Sequence, residues 1–177
     1  QTCALPIYEQ YTVISKINLN NFEATTKAFL GAGGEFYMSE NAIYIAAVKW
    51  KPMPFVIPEI EIDQTTTMAD RAIPITDSSS ETILMKYSIR GDIKKVAETT
   101  IQGTLLNQFS MDEYNGYFRV AATNGNANLN DLGRNSENLL YVFDEQLREV
   151  GKVDNLARGE RIYSVRFMGD TAYIVTF

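Results

Sequence analysis

The sequence predicts an all-β fold, a partial β-propeller of four-stranded antiparallel blades, and two internal repeats carry that prediction. Segments 36–46, 109–121 and 167–176 each have an apolar strand that ends in Met, a short polar turn, and a second strand that opens on Tyr. Segments 87–96 and 141–150 align without a gap as a second kind of hairpin. Two hairpins make a four-stranded unit, and repeated units of this kind stack as propeller blades because none can bury its faces alone.

The expected strands follow the alternation of apolar and polar residues, which is typical of strands rather than helices. With strands lettered a to d from the innermost outwards, the chain holds two complete blades between two half blades. Residues 12–30 are expected to form the outer part of the first half blade, with a clear strand at Thr12–Leu19 and a less regular segment after it. The complete blades are expected at Glu35–Ser39, Asn41–Trp50, Thr82–Arg90 and Ile93–Thr99, and at Leu105–Met111, Tyr117–Thr123, Asn138–Asp144 and Leu147–Val153. The last half blade comprises Arg161–Met168 and Thr171–Phe177.

The predicted connections differ sharply in length. The a–b and c–d turns are short, whereas the b–c connections, 51–81 and 124–137, are long. In an antiparallel blade both b–c loops leave from the same end of the sheet, so the two long loops are expected on one face. Long loops on a rigid scaffold are common places for binding, and we expect the function there.

Composition narrows the classes of function. The chain has 177 residues, a net charge of −6 and no histidine. The absence of histidine excludes imidazole acid–base catalysis and histidine-ligated zinc in this segment. The negative charge argues against a nucleic acid partner, which would need basic residues for its phosphates. No run approaches the ~20 apolar residues that span a bilayer, so no membrane span is expected in this segment.

The first seven residues fit none of the strand patterns. Residues 1–7, which include the single Cys3, read like the translation of a sequencing adaptor, and we predict a non-native segment there. A natural N-terminal tail is the alternative. Residues 8–177 are then expected to be a fragment of one propeller domain, since the chain stops in a strand at Phe177. Such a fragment is expected to associate or to be poorly soluble through its open sheet edges.

Several segments resemble one known family. Residues 105–123 resemble a family of secreted bacterial and archaeal proteins whose C-terminal β-propeller is distantly related to WD-40 repeats. Segments 33–46, 139–144 and 159–177 look like the same family. The resemblance implies a secreted or cell-surface location and a propeller that continues beyond Phe177. It implies no reaction and no catalytic residues. The recurrent Phe, Met and Tyr positions are interpreted as blade packing.

Candidate binding residues lie in the first long loop. Trp50 and Phe55 lead into it and offer an aromatic platform for a ligand, or else they cap the sheet. Glu59, Glu61 and Asp63 alternate with isoleucine, so a strand would place their carboxylates on one face. Paired carboxylates at a suitable separation can hydrolyse glycosides. The structural alternative is an extended edge segment that its charges protect from aggregation.

The second long loop suggests a different ligand. Asn126, Asn128, Asn130 and Asp131 place oxygen-bearing side chains close together, and Asn126 and Asn128 are also candidate ligand-binding residues. Calcium takes six to eight oxygen ligands, so Ca²⁺ is the cofactor that this pattern would hold. Asn and Gly are equally the ordinary residues of a solvated loop, and with that reading no cofactor is expected.

Taken together, these patterns predict a secreted or cell-surface propeller module without catalytic activity. Its expected partner is a protein or a polysaccharide at the cell surface, bound through the face that carries loops 51–81 and 124–137. The alternative is a propeller-type, glycosidase-like hydrolase that uses loop carboxylates. A purely structural surface module is a third hypothesis.

Overall fold

The computed structural model describes residues 11–30, 33–49, 80–125 and 136–177. In these ranges the chain forms twelve strands and a short 3-10 helix at Gln108–Ser110. The strands are β1 Tyr11–Ile17, β2 Ala24–Leu30, β3 Glu35–Met38, β4 Ala42–Lys49, β5 Glu81–Ser88, β6 Lys94–Gln102, β7 Met111–Tyr114, β8 Tyr117–Asn124, β9 Glu137–Phe143, β10 Glu149–Leu156, β11 Ile162–Met168 and β12 Thr171–Thr176. In the described part of the chain, no helix is long and apolar enough to cross a membrane.

The strands form antiparallel sheets in chain order. Two sheets have four strands, β3-β4-β5-β6 and β7-β8-β9-β10, and two have a single hairpin, β1-β2 and β11-β12. The all-β prediction of two complete blades between two half blades is therefore confirmed, and within the described residues the sheets do not close into a ring.

Repeated contacts between neighbouring sheets identify which half of a blade each hairpin represents. The Nζ of Lys86 on β5 donates to the carbonyl of Glu145 in the turn of the following blade, at 3.0 Å. The Nζ of Lys16 on β1 makes the corresponding bond to the carbonyl of Gly91, at 3.3 Å. Strand β1 thus holds the third position of its blade, and β1–β2 is an outer pair. Strand β11 packs beside β8, where Val165 meets Ala121, so β11–β12 is an inner pair.

The core lies between successive sheets rather than inside any one of them. The ring of Tyr44 on β4 stacks on that of Phe118 on β8, with centroids 3.8 Å apart. Leu84, Val120 and Leu139 complete this layer between the two four-stranded sheets. Burial at such an interface is worth roughly 1.5–3 kcal/mol for each large apolar side chain, so adjacent blades stabilise each other.

The first strand of the second complete blade differs from its prediction. Residues 108–110 form the 3-10 helix, and the strand begins only at Met111. The Asn107 side chain accepts a hydrogen bond from the backbone N–H of Phe109 at 2.9 Å, which favours a turn over a strand at this point. The hairpin then closes at Asn115 and Gly116, whose φ angles of 51° and 80° suit a two-residue turn. Strand β2, at Ala24–Leu30, lies in the less regular segment that was expected to complete the outer part of the first half blade.

The three Met positions of the repeat are not equivalent in the structure. Met111 is paired with Val120 and is 2% exposed, whereas Met38 and Met168 end their strands and are 63% and 61% exposed. The interpretation of all recurrent Met positions as blade packing is therefore wrong for Met38 and Met168, which are exposed among the described residues. Met111 lies three residues before the pair Tyr114–Tyr117 that closes its two-residue turn, whereas Met168 is itself in the closing pair, with Thr171.

Candidate functional site

The predicted site residues all lie outside the described part of the chain. These are Trp50, Phe55, Glu59, Glu61, Asp63, Asn126, Asn128, Asn130 and Asp131. Their roles in binding a ligand or calcium therefore stay predictions. The residues that flank both long segments are described, and they show how the segments are anchored.

The first long segment leaves and returns at directly paired residues. Lys49 at the end of β4 is opposite Glu81 at the start of β5, and their side chains form an ion pair with Nζ and Oε2 3.0 Å apart. The carbonyl of Ser80 accepts a hydrogen bond from the N–H of Gly103 at 2.6 Å. The buried hydroxyl of Thr82 donates to the carbonyl of Gly103, also at 2.6 Å. The base of this segment is thus tied to the linker between the two complete blades.

That linker also ties the two long segments to each other. Thr104 exchanges two backbone hydrogen bonds with Thr123, each 2.9 Å long. Thr123 lies one residue before Asn124, where the second long segment leaves β8. Both segments therefore depart from one hydrogen-bonded edge, the rim, which we define by Ser80, Gly103, Thr104, Thr123, Asn124, Ser136, Asn138 and Gly159.

The second half of the rim is centred on Asn138, whose side chain is completely buried. Its Nδ2 donates to the carbonyls of Leu156 at 3.0 Å and Glu160 at 3.3 Å. Its Oδ1 accepts from the Thr123 hydroxyl at 2.8 Å. The carbonyl of Ser136 accepts from the N–H of Gly159 at 2.8 Å. These groups are satisfied by one another, so the rim is a rigid support rather than a set of reactive groups.

The residues of the rim repeat from one complete blade to the next. This repeat is present in the sequence, but it is separate from the repeat that is centred on Met. Ser-Glu opens both third strands, at Ser80 and Ser136, and a glycine follows each at the same spacing, at Gly103 and Gly159. Both glycines have positive φ, 93° and 81°. A Cβ on Gly103 would lie 2.8 Å from the carbonyl oxygen of Thr123, so the close approach of the two blades requires glycine here.

One polar atom of the rim lacks a partner among the described residues. The Oδ1 of Asn124 is buried and accepts no hydrogen bond there, while its Nδ2 lies 3.4 Å from Oε1 of Glu137. In the described ranges no group of three or more His, Cys, Asp or Glu side chains is placed to hold a metal. The residues predicted for calcium are outside those ranges.

The opposite face, at the tight turns, carries a second polar cluster between the complete blades. Oε2 of Glu113 accepts from the hydroxyls of Ser39 at 2.7 Å and Tyr44 at 2.8 Å. The N–H of Glu113 donates to the hydroxyl of Tyr37 at 3.0 Å. Burial raises the pKa of Tyr44 and the hydrogen bond to Glu113 raises it further, while burial also raises the pKa of Tyr37. Both phenols stay protonated at neutral pH and serve to lock the blades.

At the junction between the second complete blade and the hairpin β11–β12, Arg119 takes the place that Tyr44 has at the preceding junction. Arg119 pairs with the carboxylate of Asp112 on its own sheet and donates to the carbonyl of Gly169 on β11–β12 at 2.7 Å. Its guanidinium carbon lies 4.9 Å from the ring centroid of Phe167 on the same hairpin. Asp112, Glu113 and Arg119 therefore help to hold neighbouring blades together on this face.

This geometry defines a class of protein, an array of stacked four-stranded blades with both long connections on one rim. The model of a family described as the beta propeller domain matches residues 3–177, and the chain belongs to that family.

Two archaeal relatives are similar over part of the chain. An uncharacterized protein of Methanocaldococcus jannaschii is 51% identical over 86 residues, which is 49% of this chain and 13% of that protein. An uncharacterized protein of Archaeoglobus fulgidus is 45% identical over 97 residues, 55% of this chain and 14% of its own length. The chain thus spans a small part of the curated relatives that it matches. No solved structure matches it.

Proposed function

We propose that the chain is a non-catalytic propeller module, secreted or at the cell surface, which binds a protein or a polysaccharide through segments 51–81 and 124–137. One observation carries the proposal: both segments depart from the same rim, whose Ser80–Gly103 and Thr104–Thr123 hydrogen bonds join the two blades. Two long segments that share one rigid base can act on the same ligand, since their anchor points do not move relative to each other.

Two carboxylates at the blade junctions, Asp112 and Glu113, have structural partners, and this supports binding over catalysis. Asp112 is paired with Arg119, and Glu113 accepts hydrogen bonds from Ser39 and Tyr44, so these carboxylates hold the fold. Catalytic carboxylates need separated pKa values and access to the substrate, whereas these are committed to neighbouring side chains. Localisation at the cell surface rests on the family resemblance described above.

A binding experiment with matched aromatic substitutions tests the proposal. The double variant Trp50→Ala/Phe55→Ala removes the predicted platform, and Tyr117→Ala removes a half-exposed ring beside the tight turn on the opposite face. Soluble α-glucan, β-glucan, chitin oligosaccharide and xylan, and a panel of purified cell-surface proteins, serve as probes in biolayer interferometry. At least one probe is expected to bind, with about a tenfold loss for the double variant, or roughly 1.4 kcal/mol, and no loss for Tyr117→Ala.

The probes also separate binding from hydrolysis. Reducing ends released from any of these polysaccharides, and lost in Glu59→Gln/Glu61→Gln/Asp63→Asn, would identify a hydrolase and overturn the non-catalytic proposal. Equal losses in the double variant and in Tyr117→Ala would place binding away from the long-segment face. Failure of every probe to bind would remove the support for a binding module of these two classes.

A further inference from the structure

A cavity of about 560 Å³ lies between the tight turns of the two complete blades, on the face opposite the rim. Its polar wall is formed by Tyr37, Ser39, Glu40, Asn41, Glu113 and Asn115. Every one of these residues belongs to a described strand or turn, and both long segments leave the blades at the other end of the strands. We call this space the turn cavity, and its volume is within the range of small-molecule sites in proteins.

The turn cavity exists because two equivalent positions carry side chains of different size. Ser39 and Tyr114 each stand directly before the two-residue turn of an inner hairpin and face the following blade. Tyr114 reaches the next turn, and its hydroxyl oxygen is 3.8 Å from the place that a Cβ at Gly169 would take. Ser39 is short and meets the following blade only where the Glu113 side chain reaches back to it. The space between the turns is therefore bridged by a ring at one junction and open at the other.

Polar atoms around the turn cavity keep hydrogen-bonding capacity that the described residues do not use. Glu113 receives the hydroxyls of Ser39 and Tyr44 on Oε2, while its Oε1 has no donor within the described ranges. The Tyr37 hydroxyl accepts the N–H of Glu113, so its own proton is available to an acceptor. Asn115 is exposed at a turn position with φ of 51°, and its amide has no partner in the part of the chain that the structure describes. The cavity thus presents an anionic acceptor, a phenol donor and an amide that does both.

This set of groups fits a neutral ligand that carries several neighbouring hydroxyls. Each hydroxyl can donate to a carboxylate and accept from a phenol or an amide N–H. The carboxylates of Glu40 and Glu113 repel phosphate and other anions. An apolar ligand would leave the polar atoms of the wall without partners, which is costly. We propose that the turn cavity binds one neutral sugar residue, with Glu113 and Tyr37 as its half-buried contacts and Asn115 at its mouth.

Saturation-transfer NMR titration of the purified chain with methyl glycosides tests the proposal. The probes are the methyl glycosides of glucose, galactose, mannose and N-acetylglucosamine, and at least one is expected to bind with a Kd on the order of 1 mM. Asn115→Gly removes the amide and suits the positive φ of the turn, so that glycoside should bind about fivefold more weakly. Asn155→Gly is the matched control and should bind like the wild type. Asn155 is also exposed with positive φ, 55°, but lies near the end of β10, on the rim side.

A second variant closes the cavity with the side chain that the next junction uses. Ser39→Tyr places a ring at the position equivalent to Tyr114 and should abolish glycoside binding. Ser39 also accepts the backbone N–H of Ala42 at 3.1 Å, so far-UV circular dichroism and urea unfolding must first show that this variant is folded. If it does not fold, the comparison of Asn115→Gly with Asn155→Gly decides the question.

The turn cavity and the long segments can be tested separately because they lie on opposite faces. The double variant Trp50→Ala/Phe55→Ala should bind the methyl glycosides like the wild type, and a loss there would place the sugar on the rim side and overturn the proposal. Absence of binding by all four glycosides at about 50 mM, equal affinities of Asn115→Gly and Asn155→Gly, or binding by a folded Ser39→Tyr would each overturn it as well. Methylguanidinium binding without glycoside binding would identify a cation site instead.

Discussion

Replacement of Asn138 by alanine should cost more stability than any exposed polar substitution in this chain. The Asn138 side chain is fully buried and makes three good hydrogen bonds, to the carbonyls of Leu156 and Glu160 and from the hydroxyl of Thr123. At about 1 kcal/mol for each net bond, the variant Asn138→Ala should lose about 3 kcal/mol of unfolding free energy. In a chain of this size that loss corresponds to a fall in Tm of roughly 6–12 °C.

Urea unfolding followed by circular dichroism measures this loss. The control Asn20→Ala removes an exposed asparagine from the turn after β1, and its effect should stay within about 0.5 kcal/mol. Asn138→Asp keeps the size of the side chain but turns a carboxylate toward the two carbonyls, so it should be at least as damaging as the alanine variant. A loss below about 1 kcal/mol for Asn138→Ala would refute the reasoning that the rim depends on this side chain.

Three further predictions test the junctions and turns. Gly103→Ala should destabilise the chain clearly more than Gly91→Ala, because both glycines have positive φ but only the Cβ at 103 meets a neighbouring carbonyl; equal losses in thermal unfolding would contradict this. In a double-mutant cycle, Tyr44→Phe and Glu113→Gln should couple by about 1–2 kcal/mol in urea unfolding, since the phenol donates to the carboxylate; additive losses would exclude the link. The pKa of Asp144 is lowered because the backbone N–H of Arg148 donates to its carboxylate, so its stabilising effect is present above about pH 4 and is lost as the pH falls through the lowered value. Asp144→Asn should therefore weaken the fold at pH 7 and match the wild type in strong acid, and a constant difference at all pH values would contradict this.

The local pattern of the sequence was enough to predict most strands and their grouping into blades. Period-two alternation places β5 within one residue of its predicted start, and short polar turns mark the hairpins. These features depend on neighbouring residues, so they are visible without the tertiary structure. The rim glycines Gly103 and Gly159 were also visible as a repeat, but their meaning depends on how closely two blades approach.

Register was the property that local pattern could not decide. Alignment of the repeats on Met treats these residues as equivalent, but a displacement by an odd number of residues moves a side chain to the other face of its sheet. Strand pairing shows that they are not equivalent: Met111 pairs with Val120 well inside its hairpin, while Met168 pairs with Thr171 at the turn. Both hairpins have two-residue turns, so only the pairing of the strands distinguishes the two arrangements.

The contacts that position the candidate site likewise depend on the tertiary structure. Tyr44 and Glu113 are 69 residues apart in sequence, and Thr104 meets Thr123 across a blade boundary. Such pairs form only when whole sheets stack, since each partner belongs to a different blade. The sequence by itself determined that stackable sheets would form; the packing between blades decided which side chains join them and brought the bases of both long segments onto one rim.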